Sequence, residues 1–292
     1  MTTLNERLGY PADTRLLIVH ADDLGFCHSA NVGTYEALRR GMATSASLIV
    51  PGPWAREAAA RYRGEDIGVQ LTVNAEHELY RWGPITQAPS LLGGDGGFPR
   101  TMEDVWEHAD LDEVRRECRA QIERAILWGF DVSHLNTHMA TLQLRPEFFD
   151  ICLELAVEFA LPLRMLGSHE ARHLGFPARQ LAEEAGVVFT DDVLLAPAGG
   201  RGPGPAPRAT LVQLVAGLAP GVTEVRLHPA VDSGELRAMA ADWEQRVEDH
   251  RAICDDPAVR EATEARGVEL IGFRALRDLA RAGGSRSREL SP

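Results

Sequence analysis

The chain alternates short apolar, β-branched runs with longer stretches in which apolar residues recur every three or four positions. The short runs predict strands over 15–21, 45–50, 67–73, 132–137, 161–166, 187–190, 222–227 and 268–272. The longer stretches predict helices over 30–40, 55–61, 111–128, 146–159, 178–185, 210–218, 241–253 and 275–282. The clearest is 111–128, where Leu111, Val114, Cys118, Ile122, Ala125 and Ile126 form one stripe between Glu and Arg residues. Pro146 suits the first turn of its helix, where its missing N–H costs nothing. Strands alternating with helices predict an α/β fold with mostly parallel strands, either an open doubly wound sheet or a barrel.

The residues at the strand ends separate these two. They read Asp22-Asp23, Pro51-Gly52, Asn74-Ala75-Glu76, His138, Asp191-Asp192 and His228-Pro229. Chemically capable side chains thus come from most strand ends rather than from one crevice, as at the C-terminal rim of a barrel. The expectation is a TIM-like (β/α) barrel, a single domain over residues 1–284. Residues 76–107, rich in Gly, Pro and Trp, read as a loop insertion of the lid or binding kind. Tyr80 and Trp82 in that loop can stack on a sugar face or simply pin the loop down. Residues 197–208 (PAGGRGPGPAPR) read as a Pro/Gly-rich loop, and 285–292 as a flexible tail.

Composition narrows the partners. The 292 residues are 45% hydrophobic and 25% charged, as in a globular domain with a sizeable core. A net charge of −13 argues against nucleic acid and anionic membrane surfaces, since the attraction that drives such binding is reversed in sign. The four cysteines form no C-x-x-C, so neither zinc-finger spacing nor a disulfide framework is expected. Cys27 reads as a wall residue near the Asp pair rather than a nucleophile. The N-terminal residues hold no apolar signal region, and no run approaches transmembrane length, which makes cytoplasmic the expected location.

The candidate chemistry starts at LIVHADD. A buried strand that stops at Asp22-Asp23 puts two carboxylates at a rim, where they repel and need a metal or a proton between them. That suits metal-assisted hydrolysis with one Asp as ligand and the other as base; the same pair also reads as a polar loop with an Asp helix cap. In SHLNTH, strand periodicity points His134, Asn136 and His138 to one face. His228, with Pro229 next to it at a strand exit, is a natural general acid for a departing amine. Arg164 lies in an expected strand and can hold substrate oxygens or an internal carboxylate.

These pieces, in this order, resemble the YdjC-like family of carbohydrate deacetylases. The resemblance is carried by HADDLGFCHSANVGTYEALRRGMATSASLIVPG, IGVQLTVNAE, SHLNTHMA with LPLRM, and TEVRLHPA, spanning about residues 15 to 280. YRWGPITQAPSLLGGDGGF is similar to a branch of the family with an elaborated YRWGP-type loop. The resemblance implies a TIM-like barrel that removes N-acetyl groups from acetylated amino sugars with a divalent cation, Mg2+ or Zn2+. It maps the base to Asp22, the metal ligands to Asp23 and His138 with His134 as runner-up, and the acid to His228. Three positions depart from the family pattern. Gln70 and Ala140 stand where the family has His, and Asn136 stands where it has Asp. A Gln carbonyl can ligate a hard cation but is much weaker than imidazole towards zinc. The expected centre is therefore Asp23, His138 and Gln70 about one cation, with Glu76, Tyr80, Trp82 and Arg164 towards substrate. The expected partners are a small acetylated sugar or amine and a second copy in a homodimer. Two other readings stay open: a barrel that lost its metal and binds sugar or acts as a scaffold, and an amidohydrolase for another N-acyl amine.

Overall fold

The computed structural model describes residues 2–195 and 207–289. Residues 197–206 of the Pro/Gly-rich stretch and 290–292 of the tail lie outside these. Strands β1 (Arg15–Leu24), β2 (Ser45–Leu48), β3 (Ile67–Leu71), β4 (Val132–Thr137), β5 (Asp192–Leu195), β6 (Gly221–Leu227) and β7 (Val268–Leu270) build one sheet. Its order is β4-β3-β2-β1-β6-β5, with β7 beside the first residues of β1, and every pair is parallel. Every β1 residue after Arg15 is buried, because helices cover one face of the sheet and inward side chains fill the other.

The sheet curls into a half-barrel, and its ladders do not close. Leu163 makes only an isolated bridge to Leu135 of β4; its N–H donates to the Val188 carbonyl, and Asp191 N–H donates to Val222. The strands expected over 161–166 and 187–190 are thus reduced to one isolated bridge and a few backbone hydrogen bonds. Pro162 explains part of this, since it has no N–H to give and only its carbonyl takes part, accepting from Leu135. Regular pairing with β6 starts later, at Asp192.

The helices fall where periodicity puts them, including His28–Arg39, Ala55–Arg61, Leu111–Leu127, Pro146–Glu158 and Trp243–Cys254. A helix at Pro257–Ala265 went unread, although Asp256 caps it and Pro257 opens it, a start signal present in the sequence. The last helix, Phe273–Glu289, runs into the stretch that reads as a tail. Among the described residues, no helix is long and apolar enough to cross a membrane.

Inward residues stack in layers. One layer holds His20 and His134, whose ring stacks on Phe273 with centroids 3.9 Å apart and meets His20 edge-on at 4.9 Å. Gly68 on β3 leaves room for this: a Cβ there would sit 2.5 Å from the His134 ring and carbonyl oxygen. Gly68→Ala is expected to destabilise the fold by about 1–3 kcal/mol through overpacking, read as a lower urea midpoint.

Candidate active site

In a regular strand Asp22 and Asp23 would face opposite sides. The β1–β2 register shifts between Ala21 and Leu24, and Asp23 takes a left-handed φ of 67°. That bulge, tolerated by the short polar Asp side chain, turns both carboxylates towards the same cluster. Met139 and Ala140, just after β4, are also left-handed at 52° and 59°. Backbone strain therefore gathers at the end of the sheet that carries the polar groups.

Asp22 is held from several sides. Arg164 Nη1 donates to both carboxylate oxygens at 2.9 Å, and Ser47 Oγ and Asn136 Nδ2 donate to Oδ1 at 2.9 Å. Burial alone would raise its pKa. The Arg164 charge, with His20 and Arg226, outweighs that and holds the carboxyl well below the usual range. Asp22 thus fits a fixed negative charge better than the base expected from sequence, since a proton on it would displace the Arg164 pairing. Arg164 also donates from Nε to Glu224 at 2.6 Å and is itself buried. It serves internal carboxylates and is not presented to substrate.

Asp23, Gln70 and His138 come together as expected. Asp23 Oδ1 lies 3.8 Å from His138 Nδ1, and Gln70 Nε2 sits 3.1 Å from each. On the other side of the amide, Gln70 Oε1 accepts from the Asp23 backbone N–H at 3.1 Å. Asp23 Oδ2 accepts from Arg246 Nη1 at 2.8 Å, and Arg246 Nε reaches Asp242 at 3.0 Å. His138 Nε2 meets Glu76 Oε2 at 2.8 Å, and Glu76 Oε1 lies 3.1 Å from His77. Burial would lower the His138 pKa, but the charge and hydrogen bond of Glu76, with Asp23, raise it. Glu76→Gln is therefore expected to shift the His138 ring titration to lower pH, measured by NMR on ring-labelled protein. An unchanged midpoint would separate the two groups.

His228 is the open group of the cluster. Its ring is 33% exposed and Nε2 is 3.9 Å from Asp22 Oδ2, while its backbone N–H is fixed by Asp249 at 2.9 Å. Arg226 approaches Asp22 Oδ2 at 3.6 Å, and its buried Nε has no hydrogen-bond partner. Nearby, a cleft of ≈ 740 Å³ is lined by Glu76, His77, Leu79, Arg237, Trp243 and Arg246.

Four residues singled out in the sequence have structural roles. His134 is in the core beneath the site, its Nδ1 2.9 Å from Ser133 Oγ, too deep to share a rim with Asp23. Trp82 is buried edge-on to Phe26 at 5.9 Å, and the Tyr80 hydroxyl donates to the Phe26 carbonyl at 2.7 Å. Both pin the loop, leaving no free face of Trp82 for a sugar. Cys27 Sγ caps helix His28–Arg39 by accepting from Ala30 N–H, and burial pushes its thiol up to about 11. Glu224 and Arg226 went unread although they alternate with His228 along β6, the same period of two that picked out His134, Asn136 and His138.

The model of a family described as YdjC-like protein matches residues 16–265. The chain belongs to the YdjC-like family. Among curated relatives, the carbohydrate deacetylase of Thermus thermophilus is 36% identical over 88% of this chain and 92% of its own length. That of Geobacillus stearothermophilus is 30% identical over 89% of this chain and 97% of its own length. A solved structure from Enterococcus faecalis V583, named for cellobiose-phosphate cleavage, superposes with a TM-score of 0.78 at 26% identity. It covers 90% of this chain and 99% of its own.

The YdjC-like resemblance raises a divalent cation at Asp23, His138 and Gln70, and the donor set does not fit one. Gln70 turns its NH2, a donor, towards the gap between Asp23 and His138. Flipping the amide would set that NH2 against the Asp23 N–H and leave the N–H without its acceptor. The outer oxygen of Asp23 is already taken by Arg246. Among the described residues, no group of three or more His, Cys, Asp or Glu is placed to hold a metal ion.

Proposed function

We propose that this chain is a hydrolase that removes the N-acetyl group from acetylated amino sugars. The observation that carries the reading is the meeting of Asp22, Arg226 and the partly exposed His228 ring at the strand ends of a YdjC-like chain. Carbohydrate deacetylases align with it along most of their length, which supports the same chemistry here.

Three side chains can divide the work. His228 takes a proton from the attacking water and passes it to the departing nitrogen as the C–N bond breaks, releasing acetate and a free amine. Asp22, kept ionised by Arg164, stabilises the His228 imidazolium. The partly exposed Arg226 guanidinium, beside Asp22, supplies positive charge towards the carbonyl oxygen as negative charge builds on it. Asp23, His138, Gln70 and Arg246 form the wall beside them.

A panel of N-acetylated hexosamines, their β-linked dimers and simple N-acyl amines tests the reading. Acetate release from the sugars and little from the simple amines supports it. The reverse preference would favour an amidohydrolase of another class. A specific observation favours one second reading: because Gln70 and Arg246 fill the wall without a cation, a sugar-binding protein that performs no hydrolysis would have the same cluster. Saturable sugar binding with no acetate from any panel member would select it.

A further inference from the structure

We infer that Arg246 and Gln70 take the place of a cation in this centre, so that the chain has no resident divalent metal. The inference concerns the wall of the proposed site and does not depend on which amide is cleaved.

Three observations point the same way. First, the two groups able to ligate, Asp23 Oδ1 and His138 Nδ1, are bridged by one amide nitrogen, which donates to the carboxylate and sits against the ring nitrogen at equal distances of 3.1 Å. A donor in that position fills a ligand's place without being one. Second, Arg246 Nη1 lies 2.8 Å from Asp23 Oδ2 and is buried, its Nε braced by half-exposed Asp242. It brings to Asp23 the positive charge that a cation would bring. Third, the carboxylates around this gap already have cationic partners. Asp22, Asp23 and Glu224 are met by Arg164, Arg226 and Arg246, while Glu76 is paired with His138. Two further positive charges beside Asp23 would meet carboxylates that already have a cationic partner, and an uncompensated buried charge is costly. The guanidinium comes from helix Trp243–Cys254, 223 residues away in sequence, so this centre is completed by a tertiary contact.

The test is zinc and magnesium uptake by untagged protein, measured by equilibrium dialysis and elemental analysis without reference to turnover. The exposed His169 and His173, with rings 5.2 Å apart, are replaced by Ala in every sample so that only the centre is read. That background is expected to hold neither metal, whereas Gln70→His combined with Arg246→Met should go from no detectable zinc to one equivalent per chain. Circular dichroism confirms that each variant is folded. If loss of Arg246 unfolds the chain, Gln70→His alone must bind more zinc than its background. One equivalent of either metal in the background protein would overturn the inference. So would folded variants that gain none. Where acetate release is detected, chelator should leave it unchanged; loss on chelation with recovery on added zinc would also overturn the inference. Absence of acetate release would count against the proposed reaction and leave the uptake result standing on its own.

Discussion

Replacing Arg164 with Met is expected to destabilise the protein by about 3–5 kcal/mol, the usual cost of leaving buried partners of an ion pair uncompensated. Asp22 and Glu224 are both buried, and both lose a close donor when the guanidinium is removed. The effect should depend on pH in one direction. Asp22 is held below the ordinary aspartate range, so its contribution in the native protein is fully present above about pH 4. It is lost as pH falls through the lowered value. The gap between wild type and Arg164→Met, read from urea unfolding, should therefore be widest near neutral pH and should narrow in acid. A difference below about 0.5 kcal/mol at pH 7, the range of an ordinary surface change, would mean that Arg164 does not hold the centre together.

The second large effect is on turnover. His228→Ala should lower the rate by about 10²–10⁴-fold, the worth of a positioned acid–base group. Stability should move little, because the ring is partly exposed and the hydrogen bond to Asp249 is made by the backbone N–H, which Ala keeps. Comparing kcat with the urea midpoint on the same preparation separates the roles. Unchanged kcat would take His228 out of the chemistry, whereas a large loss of stability would make it a packing residue.

Much of this arrangement was legible in the sequence because strand geometry has a short period. β4 fell over 132–137 as expected, and alternation placed Asn136 and His138 on the face that looks into the cluster. The Asp pair was found because it interrupts an apolar run, although the bulge that turns both carboxylates inward depends on pairing with β2. The missed residues divide by cause. Glu224 and Arg226 were within reach of the same period-two reasoning. Arg246 was not, since its meeting with Asp23 is made by packing of a distant helix. The depth of His134 was also hidden: alternation gives a side chain's face, and the stacking on Phe273 gives its layer. Strand 161–166 failed because apolar character permits a strand, while ladder bonds need N–H groups that Pro162 lacks.

The chemistry that Gln70 brings could not be read from residue type. A side-chain amide presents a carbonyl oxygen or an NH2 with equal ease, and only the Asp23 N–H beside it decides which end faces the gap. That single orientation changes the centre from a possible ligand set into a hydrogen-bonded wall.

Acetate release from an N-acetylated amino sugar, measured beside release of the free amine, tests the proposed activity most directly. Wild type is expected to give one acetate for each amine freed, with His228→Ala slower by about 100-fold or more. No acetate above the protein-free blank, or equal rates from the two proteins, would contradict it.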